Sequence, residues 1–395
     1  MGILSVCNQW RAIIAAMDVA LPRWLVRLLV ACATAMIILG VFGYQILGFK
    51  TDWIAYYAAG SLLIQGRINQ LYDPTTIQAW EAPFIGANIV RFLYAPAYSL
   101  PFAALTILSL KWARVAWLLF SLAACLAAAW LSKPWTRLRF PMRVLGLLAF
   151  PALAFSLAVG QITPFTLLIF CSIAYYEWKG DHGFLPGFLA GLALFKPQLL
   201  IPLVLIWLWE RRWRSLAGFL LAILTVGLIS ILLSWQATFE YLRLSLEFLD
   251  LAQISTTSGA NASLFALNPW LGFGAGVGVI MVLCIASRQE NKGYSQAMLW
   301  LAPILVTPYI IIYDFLLLIL PISFLVPVLA KDRLLKILVA ILWVLSLMAI
   351  AILNTRPVTI AALGLFAVCA WRVFKAPVNV VSSPPAIPQE LIPPG

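Results

Sequence analysis

Charged residues are scarce in this sequence. Only 10% of its 395 residues are Asp, Glu, Lys or Arg, whereas 64% are hydrophobic. Water-soluble domains carry about 25% charged and roughly 45–50% apolar residues. A water-soluble fold cannot hide so much apolar surface, so the composition places the chain in a lipid bilayer. There the length suits one bundle of roughly a dozen helices, at about 20 residues per crossing plus loops.

Metal-binding and disulfide-forming groups are also few. The one histidine, His182, lies in the polar stretch WKGDHG, and the acidic residues are scattered along the chain. None of the six cysteines lies in a CxxC pair or near a histidine, and all but Cys7 fall within apolar runs. The sequence therefore predicts no metal site and no cofactor, and the cysteines are interpreted as small buried hydrophobic residues.

The net charge of +12 comes from short basic groups between apolar runs. This distribution is typical of orientation signals facing the cytoplasm and argues against nucleic-acid binding. It predicts a cytoplasmic N-terminus, with the apolar run from Trp24 to Leu47 as a first transmembrane helix and not a cleaved signal. The later basic groups are at 133–143, 211–214, 288–292, 331–336 and 372–375.

Apolar segments between these groups pair into crossings. The predicted pairs are 143–158 with 162–177, 184–195 with 197–209, 215–234 with 268–286, 295–309 with 313–330, and 334–353 with 357–373. Segment 112–131 is interpreted as a span and 95–110 as re-entrant or interfacial, which gives about 12 crossings.

The predicted fold is thus an all-α polytopic membrane bundle with a single transmembrane domain over residues 1–375. Its first outer loop, about 48–111, carries interfacial helices, and a second large outer loop covers about 235–267. Residues 376–395 are rich in proline and are predicted to form a disordered cytoplasmic tail.

Uncharacteristic polar residues gather on the outer side of this topology. Ionisable groups at membrane depth cost at least about 2.5–3.5 kcal/mol each, so several at one level indicate a functional site near the outer leaflet. Asp52 and Tyr56 have the i, i+4 spacing of one helix face. The others lie at predicted hairpin tips and are Gln161, Lys196, Gln198, Tyr313 and Asp314.

Structural roles are open for several of these residues. Lys196 could extend to the interface, and Asp314 could cap a helix. Asp73 is interpreted as a helix cap because Pro74 follows it. A repeating set of charges predicts only the wet face of an amphipathic outer helix, and its members are Glu240, Arg243, Glu247 and Asp250.

Several stretches, in order, resemble glycosyltransferase family 87, within the GT-C group of polytopic transferases that use lipid-phosphate sugars. The resemblance covers about residues 50–330. Its stretches are DWIAYYAAGSLLIQG, LYDP, FLYAPAYSLPF, GQITPFTLL, GFLAGLALFKPQLLIPLVLIWLWERRWRSL, NASL and TPYIIIYDFLLLILP.

The resemblance implies a GT-C-like fold in the plasma (inner) membrane, with the active site facing outside the cytoplasm. It implies transfer of mannose or a related hexose from a polyprenyl-phosphate donor to a glycan or glycolipid acceptor. The family's catalytic base falls on Asp52 and its aromatic companion on Tyr56. Its other elements fall on Gly160 with Gln161, Lys196 with Pro197, and Asn261 with Ser263. Some members have a histidine in the late motif, where this chain has Tyr309, Tyr313 and Asp314.

This chemistry needs a base for the acceptor hydroxyl and cations for the departing phosphate, which is already a good leaving group. We therefore assign Asp52 as the base and Lys196 as a phosphate ligand, with Arg91 or Arg114 as a candidate second ligand. Attack opposite the phosphate would invert the anomeric centre. Four aromatic residues could stack on the sugar or line the lipid path, namely Trp53, Tyr56, Tyr57 and Tyr94, and an interfacial aromatic belt is an equal interpretation.

A flippase or other transporter is the alternative function. Transporters commonly contain internal repeats and place charges in both leaflets, whereas no repeat is found here and the charges gather on one side. An O-antigen polymerase or ligase would be expected to have an arginine-rich outer loop, but 235–267 contains only Arg243.

Overall fold

The computed structural model describes residues 23–47, 51–87, 89–254, 261–289, 291–329, 331–352 and 354–375, without the side chains of residues 23, 44–47 and 248–254. The described residues form an all-helical structure. The predicted disordered tail and Cys7 lie outside these ranges.

Eighteen α-helices are present among the described residues. In chain order, α1 to α18 are Arg23–Leu47, Asp52–Ile64, Pro74–Ile85, Leu100–Leu105, Leu110–Leu131, Lys133–Thr136, Phe140–Leu148, Pro151–Val159, Thr163–Lys179, Phe184–Leu192, Ile201–Trp209, Trp213–Leu233, Trp235–Ile254, Pro269–Ala286, Lys292–Val306, Ile319–Leu329, Arg333–Ile352 and Arg356–Lys375. Short 3-10 segments are Ile68–Gln70, Pro96–Ser99, Pro197–Leu200, Leu264–Ala266 and Ile312–Leu318.

Seven helical stretches in the described part of the chain are long and apolar enough to cross a bilayer, so the protein is a multi-pass membrane protein. They are Trp24–Gly43, Leu110–Leu131, Trp213–Leu233, Pro269–Ala286, Ile312–Leu329, Arg333–Ile352 and Arg356–Lys375. The pair α7 and α8, bent by 67°, makes an eighth if it is one span.

Shorter helices α9, α10, α11 and α15 lie between these spans. Helices α10 and α11 have nine residues each. At 1.5 Å per residue, nine residues cover only about half of the roughly 30 Å hydrocarbon core. The count of about 12 crossings therefore stays a prediction.

The first large loop contains short helices. Helix α4 has six residues, too few to cross a bilayer, whereas α5 has 22. The interpretation of 95–110 as re-entrant or interfacial stays a prediction. Asp73 caps α3 as predicted: its carboxylate accepts hydrogen bonds from the backbone N–H groups of Thr75 and Thr76, at 3.4 and 3.0 Å.

Proline residues mark the helix breaks that shape the bundle. Pro151 begins α8 after the 67° bend, and Pro197 follows Lys196 between α10 and α11. Proline has no N–H to continue a preceding helix, but it fits a first helical turn. The breaks put polar loop residues among the helices instead of beyond their ends.

Helices α10 and α12 pack through glycines. A Cβ atom on Gly187 would lie 1.7 Å from the carbonyl oxygen of Ser215, and one on Gly218 would lie 2.1 Å from that of Phe184. Small residues at such contacts let membrane helices approach closely. Gly227, also on α12, has no neighbouring atom within 4 Å of an added Cβ.

We expect Gly187→Ala to lower thermal stability in detergent, because the added methyl group forces α10 away from α12. Gly227→Ala is the matched control and should leave stability unchanged or slightly higher, since it adds a methyl in open space and improves helix propensity by about 0.5–1 kcal/mol. Fluorescence-detected size-exclusion chromatography after heating would compare them. Equal melting of the two variants would contradict this packing account.

Candidate active site

Nine of the predicted site residues line one cavity of about 480 Å³. The cavity lies between the start of α2, the loop before α4, the α8–α9 hairpin, the α10–α11 break and the segment before α16. Residues that are far apart in the sequence therefore meet at this cavity, and their role as a site stays a prediction. The nine are Asp52, Tyr56, Arg91, Tyr94, Gln161, Lys196, Gln198, Tyr313 and Asp314.

Asp52 is the first residue of α2, where a carboxylate interacts favourably with the helix dipole. Its Oδ2 atom accepts a hydrogen bond from the Gln161 side-chain amide. Burial raises the pKa of the Asp52 carboxyl above its ordinary value, while the Gln161 hydrogen bond and the charge of Lys196 oppose that rise. The carboxyl is therefore a stronger proton acceptor than an exposed aspartate.

Gly160 turns the chain so that Gln161 reaches Asp52. Its φ of +73° is in the left-handed region, where glycine is favoured. A Cβ atom there would lie 2.9 Å from the Cβ of Trp53, so the position also needs glycine for space. The turn is closed by the Gln161 N–H, which donates to the carbonyl of Ser156 at 2.9 Å.

Hydrogen bonds fix the orientation of the Gln161 amide. Its Oε1 atom accepts from the Tyr56 hydroxyl at 3.0 Å and from the backbone N–H of Ile162 at 3.2 Å. The amide NH₂ must then point to Asp52. Because Tyr56 uses its one proton on Gln161, the hydroxyl of Tyr94, 3.0 Å away, is the donor to Tyr56. The hydrogen bonds thus run in one direction, from Tyr94 through Tyr56 and Gln161 to the Asp52 carboxylate.

Lys196 and Asp314 form a buried ion pair on another wall of the cavity. Lys196 is only 7% exposed, and its Nζ atom lies 4.6 Å from the centre of the Tyr313 ring. The second oxygen of Asp314 accepts from the backbone N–H of Ile311 at 3.3 Å. Lys196 is therefore a buried residue of the cavity wall. Asp314 accepts a hydrogen bond at the start of the 3-10 segment and also forms the ion pair with Lys196.

Arg114, predicted as a candidate second phosphate ligand, does not line this cavity. Its guanidinium donates to the carbonyls of Leu157 and Ala158 at the end of α8. The Trp117 indole N–H donates to the carbonyl of Gly160 at 2.8 Å. These two side chains donate to backbone carbonyls at the C-terminal end of α8, where a helix has carbonyls without intrahelical N–H partners.

Tyr57 and Asn261, predicted to bind substrate, do not line this cavity either. The Tyr57 hydroxyl donates to the Leu108 carbonyl at 2.8 Å. The buried Asn261 amide donates to the Pro308 carbonyl at 3.1 Å and accepts from the N–H of Ile310 at 3.2 Å. Asn261 thus holds the segment that leads to Tyr313 and Asp314.

The model of glycosyltransferase family 87 matches residues 92–312, more than half of the chain. The protein belongs to glycosyltransferase family 87. The resemblance identified from the sequence is confirmed, and the protein is a membrane glycosyltransferase. No curated protein and no solved structure matches the chain.

The matched region of the transferase includes Tyr94, Gln161 and Lys196. Asp52 lies before it, and Asp314 follows it by two residues. The cavity therefore joins side chains from the matched region with others from its flanks.

Sequence reasoning missed several residues that line the cavity of the transferase. Tyr241 and Ser245 belong to α13. The charged residues of this helix predicted only a water-facing surface, so its other faces were not considered as part of a site. Tyr72 directly precedes Asp73, and aromatic residues near membrane surfaces are too common for their presence alone to reveal a site. The other unassigned side chains include Phe155, Phe195 and Tyr309.

We expect either Asp314→Asn or Lys196→Met to destabilise the transferase by about 3–5 kcal/mol, because each leaves one buried charge unpaired. The double variant should lose less than the sum of the two single losses. Chemical unfolding in detergent micelles, analysed as a double-mutant cycle, measures the coupling. Glu247→Gln, which removes the exposed Arg243–Glu247 pair, is the control and should cost at most about 0.5 kcal/mol. Strict additivity of the single variants would contradict the pairing.

Proposed function

We propose that the transferase moves a hexose, with mannose as the first candidate, from a polyprenyl-phosphate donor to an extracytoplasmic glycan or lipid acceptor, with inversion. One observation carries the proposal. A hydrogen-bonded carboxylate, Asp52, and a buried lysine, Lys196, come from distant parts of the chain to line the same cavity. A base and a cation in one cavity meet the two needs of the reaction.

Asp52 would act as the general base. The acceptor oxygen attacks C1 of the sugar as its proton passes to the Asp52 carboxylate. The bond between C1 and the phosphate oxygen breaks, and its electron pair leaves with the polyprenyl phosphate. Attack from the face opposite this phosphate inverts C1. With one Asp52 oxygen held by Gln161, the other is the proton acceptor.

Lys196 would bind the departing phosphate. The donor is a phosphodiester with one negative charge, and the product polyprenyl phosphate gains a second. A fixed ammonium therefore stabilises the transition state more than the bound donor, which is the requirement for catalysis. Asp314 and the Tyr313 ring hold the ammonium at the cavity wall. Arg91, exposed on the cavity lining, is the remaining candidate for a second phosphate ligand.

The distribution of basic residues supports a cavity that faces away from the cytoplasm of a plasma-membrane protein. Arg214 lies at the start of α12, whereas the cavity wall α13 follows its other end. Likewise, Arg27 lies near the start of α1, and Asp52 follows its end. By the positive-inside rule, the basic ends are cytoplasmic. Family membership favours transfer over the flippase or transporter alternative.

We expect Asp52→Asn to reduce sugar transfer by about 10²–10⁴-fold, the usual contribution of a general base. The assay follows labelled mannose from polyprenyl-phosphate mannose in membranes with matched amounts of each variant. Tyr57→Phe, in a neighbouring side chain outside the cavity, should retain wild-type transfer. Undiminished transfer by Asp52→Asn would remove this residue from the mechanism.

The rate of transfer should fall on the acid side as Asp52 becomes protonated and loses its ability to accept a proton. This limb should be centred above the ordinary aspartate pKa of 3.8, because burial raises the pKa of the carboxyl. Gln161→Leu should move the limb to higher pH, since it removes a hydrogen bond that favours the charged form. Tyr56→Phe should move it in the same direction by less. pH–rate profiles at saturating donor would measure both shifts, and a limb that does not move would contradict the role of Gln161.

A further inference from the structure

Helix α13, Trp235–Ile254, presents three different faces, and the first of them lines the active-site cavity. Tyr241, Leu244 and Ser245 belong to the cavity wall. The Tyr241 ring lies 6.2 Å from the ring of Tyr72, another lining residue. Ala237, one turn before Tyr241, is completely buried on the same side. The helix is thus packed against the site and is not a free loop.

The second face is charged and exposed. It contains Glu240, Arg243 and Glu247, which follow one another at helical spacings of three and four residues. The Arg243 Nε and Glu247 Oε1 atoms lie 3.2 Å apart in an exposed ion pair. Such a pair is compatible with water on this side of the helix.

The third face is apolar and mostly exposed. Trp235, Phe239, Leu242 and Leu246 are 66, 61, 57 and 75% exposed. Their spacings of four, three and four residues place them within an arc of about 60°, at 3.6 residues per turn. We call these four residues the apolar stripe. Four large apolar side chains on one arc require an apolar environment to cover them.

Bilayer lipid is the environment that the surroundings of the stripe supply. The preceding helix, α12, is a candidate membrane span, and only 17% of its apolar stretch is buried inside the protein. Most of its surface therefore faces lipid. Leu228 and Leu232 near its end are exposed, and Ser234 alone separates α12 from Trp235. The lipid-facing surface therefore continues into the stripe. A helix with one apolar and one charged face has the form of an element that lies in the membrane surface.

We propose that α13 lies in the membrane surface with its apolar stripe in the acyl chains, and that the lipid chain of the donor leaves the cavity beside it. The second part rests on the proposed function. The three faces then separate lipid, water and the active site. A lipid-linked sugar reaches Lys196 and Asp52 through the mouth bordered by Tyr241 and Ser245, while its chain stays in the bilayer.

Cysteine labelling tests the position of the helix without reference to activity. Leu242→Cys and Arg243→Cys would be exposed separately to a membrane-impermeant maleimide in lipid vesicles, with the wild-type chain giving the background. We expect rapid labelling at 243 and at least about tenfold slower labelling at 242 in the bilayer. Equal rates would overturn the proposal. Protection of 242 that disappears on dilution of the protein in excess lipid would assign the stripe to a second copy of the chain instead.

Donor chain length tests the route of the lipid. The stripe variant is Leu242→Gln with Leu246→Gln, and the matched control on the same helix is Arg243→Gln with Glu247→Gln. With a long-chain polyprenyl-phosphate sugar, the stripe variant should raise KM by roughly tenfold. With a water-soluble donor analogue of two isoprene units, the KM of the stripe variant should stay unchanged. The control variant should keep the wild-type KM with both donors. An equal change with both donors, or no change with either, would overturn the route.

The two proposals fail in different ways. If wild-type protein transfers sugar from no lipid-linked donor, the proposed function and the donor route fail together, while the labelling rates still decide whether α13 lies in the membrane surface. If transfer occurs and Leu242→Cys labels as fast as Arg243→Cys, the function stands and the position proposed for α13 is refuted.

Discussion

A buried ammonium group in a helical membrane protein needs a charged partner, and the Lys196–Asp314 pair shows how this constraint shapes the structure. Lys196 lies where α10 has ended and α11 has not begun, and Asp314 lies in the 3-10 segment before α16. Both chain segments leave regular α-helix at the level of the pair. Irregular backbone at membrane depth is tolerated where protein surrounds it or where it lines a cavity, and both segments line the cavity.

The opposite wall meets the same constraint with hydrogen bonds. Helix α8 ends inside the protein, and its last carbonyls are taken by Arg114 and Trp117. Gly160 then reverses the chain so that Gln161 can bind Asp52. A cationic side chain next to the cavity thus binds backbone carbonyls. This leaves Lys196 and Arg91 as the basic side chains of the described cavity lining.

Much of the architecture could be predicted from hydrophobic patterns. Uninterrupted apolar runs such as 215–234 and 334–353 correspond to α12 and α17 within two residues. The predicted topology placed Asp52, Gln161, Lys196 and Asp314 on one side of the membrane, and these four residues line one cavity. The roles of Arg114 and Asn261 could not be predicted, because a sequence does not show that a polar side chain will bind a backbone group of another segment. Tyr72 and Tyr241 were missed because tyrosines are common at membrane surfaces whether or not they belong to a site.

The central claim is that one cavity holds both the base and the phosphate ligand for transfer from a lipid-linked sugar. A cryo-EM structure of the Asp52→Asn variant with a bound polyprenyl-phosphate sugar tests it most directly. We expect the phosphate at about 3 Å from the Lys196 Nζ atom, with C1 of the sugar facing the side chain of residue 52. A donor bound with its phosphate away from Lys196, or with its sugar outside the cavity, would contradict the account.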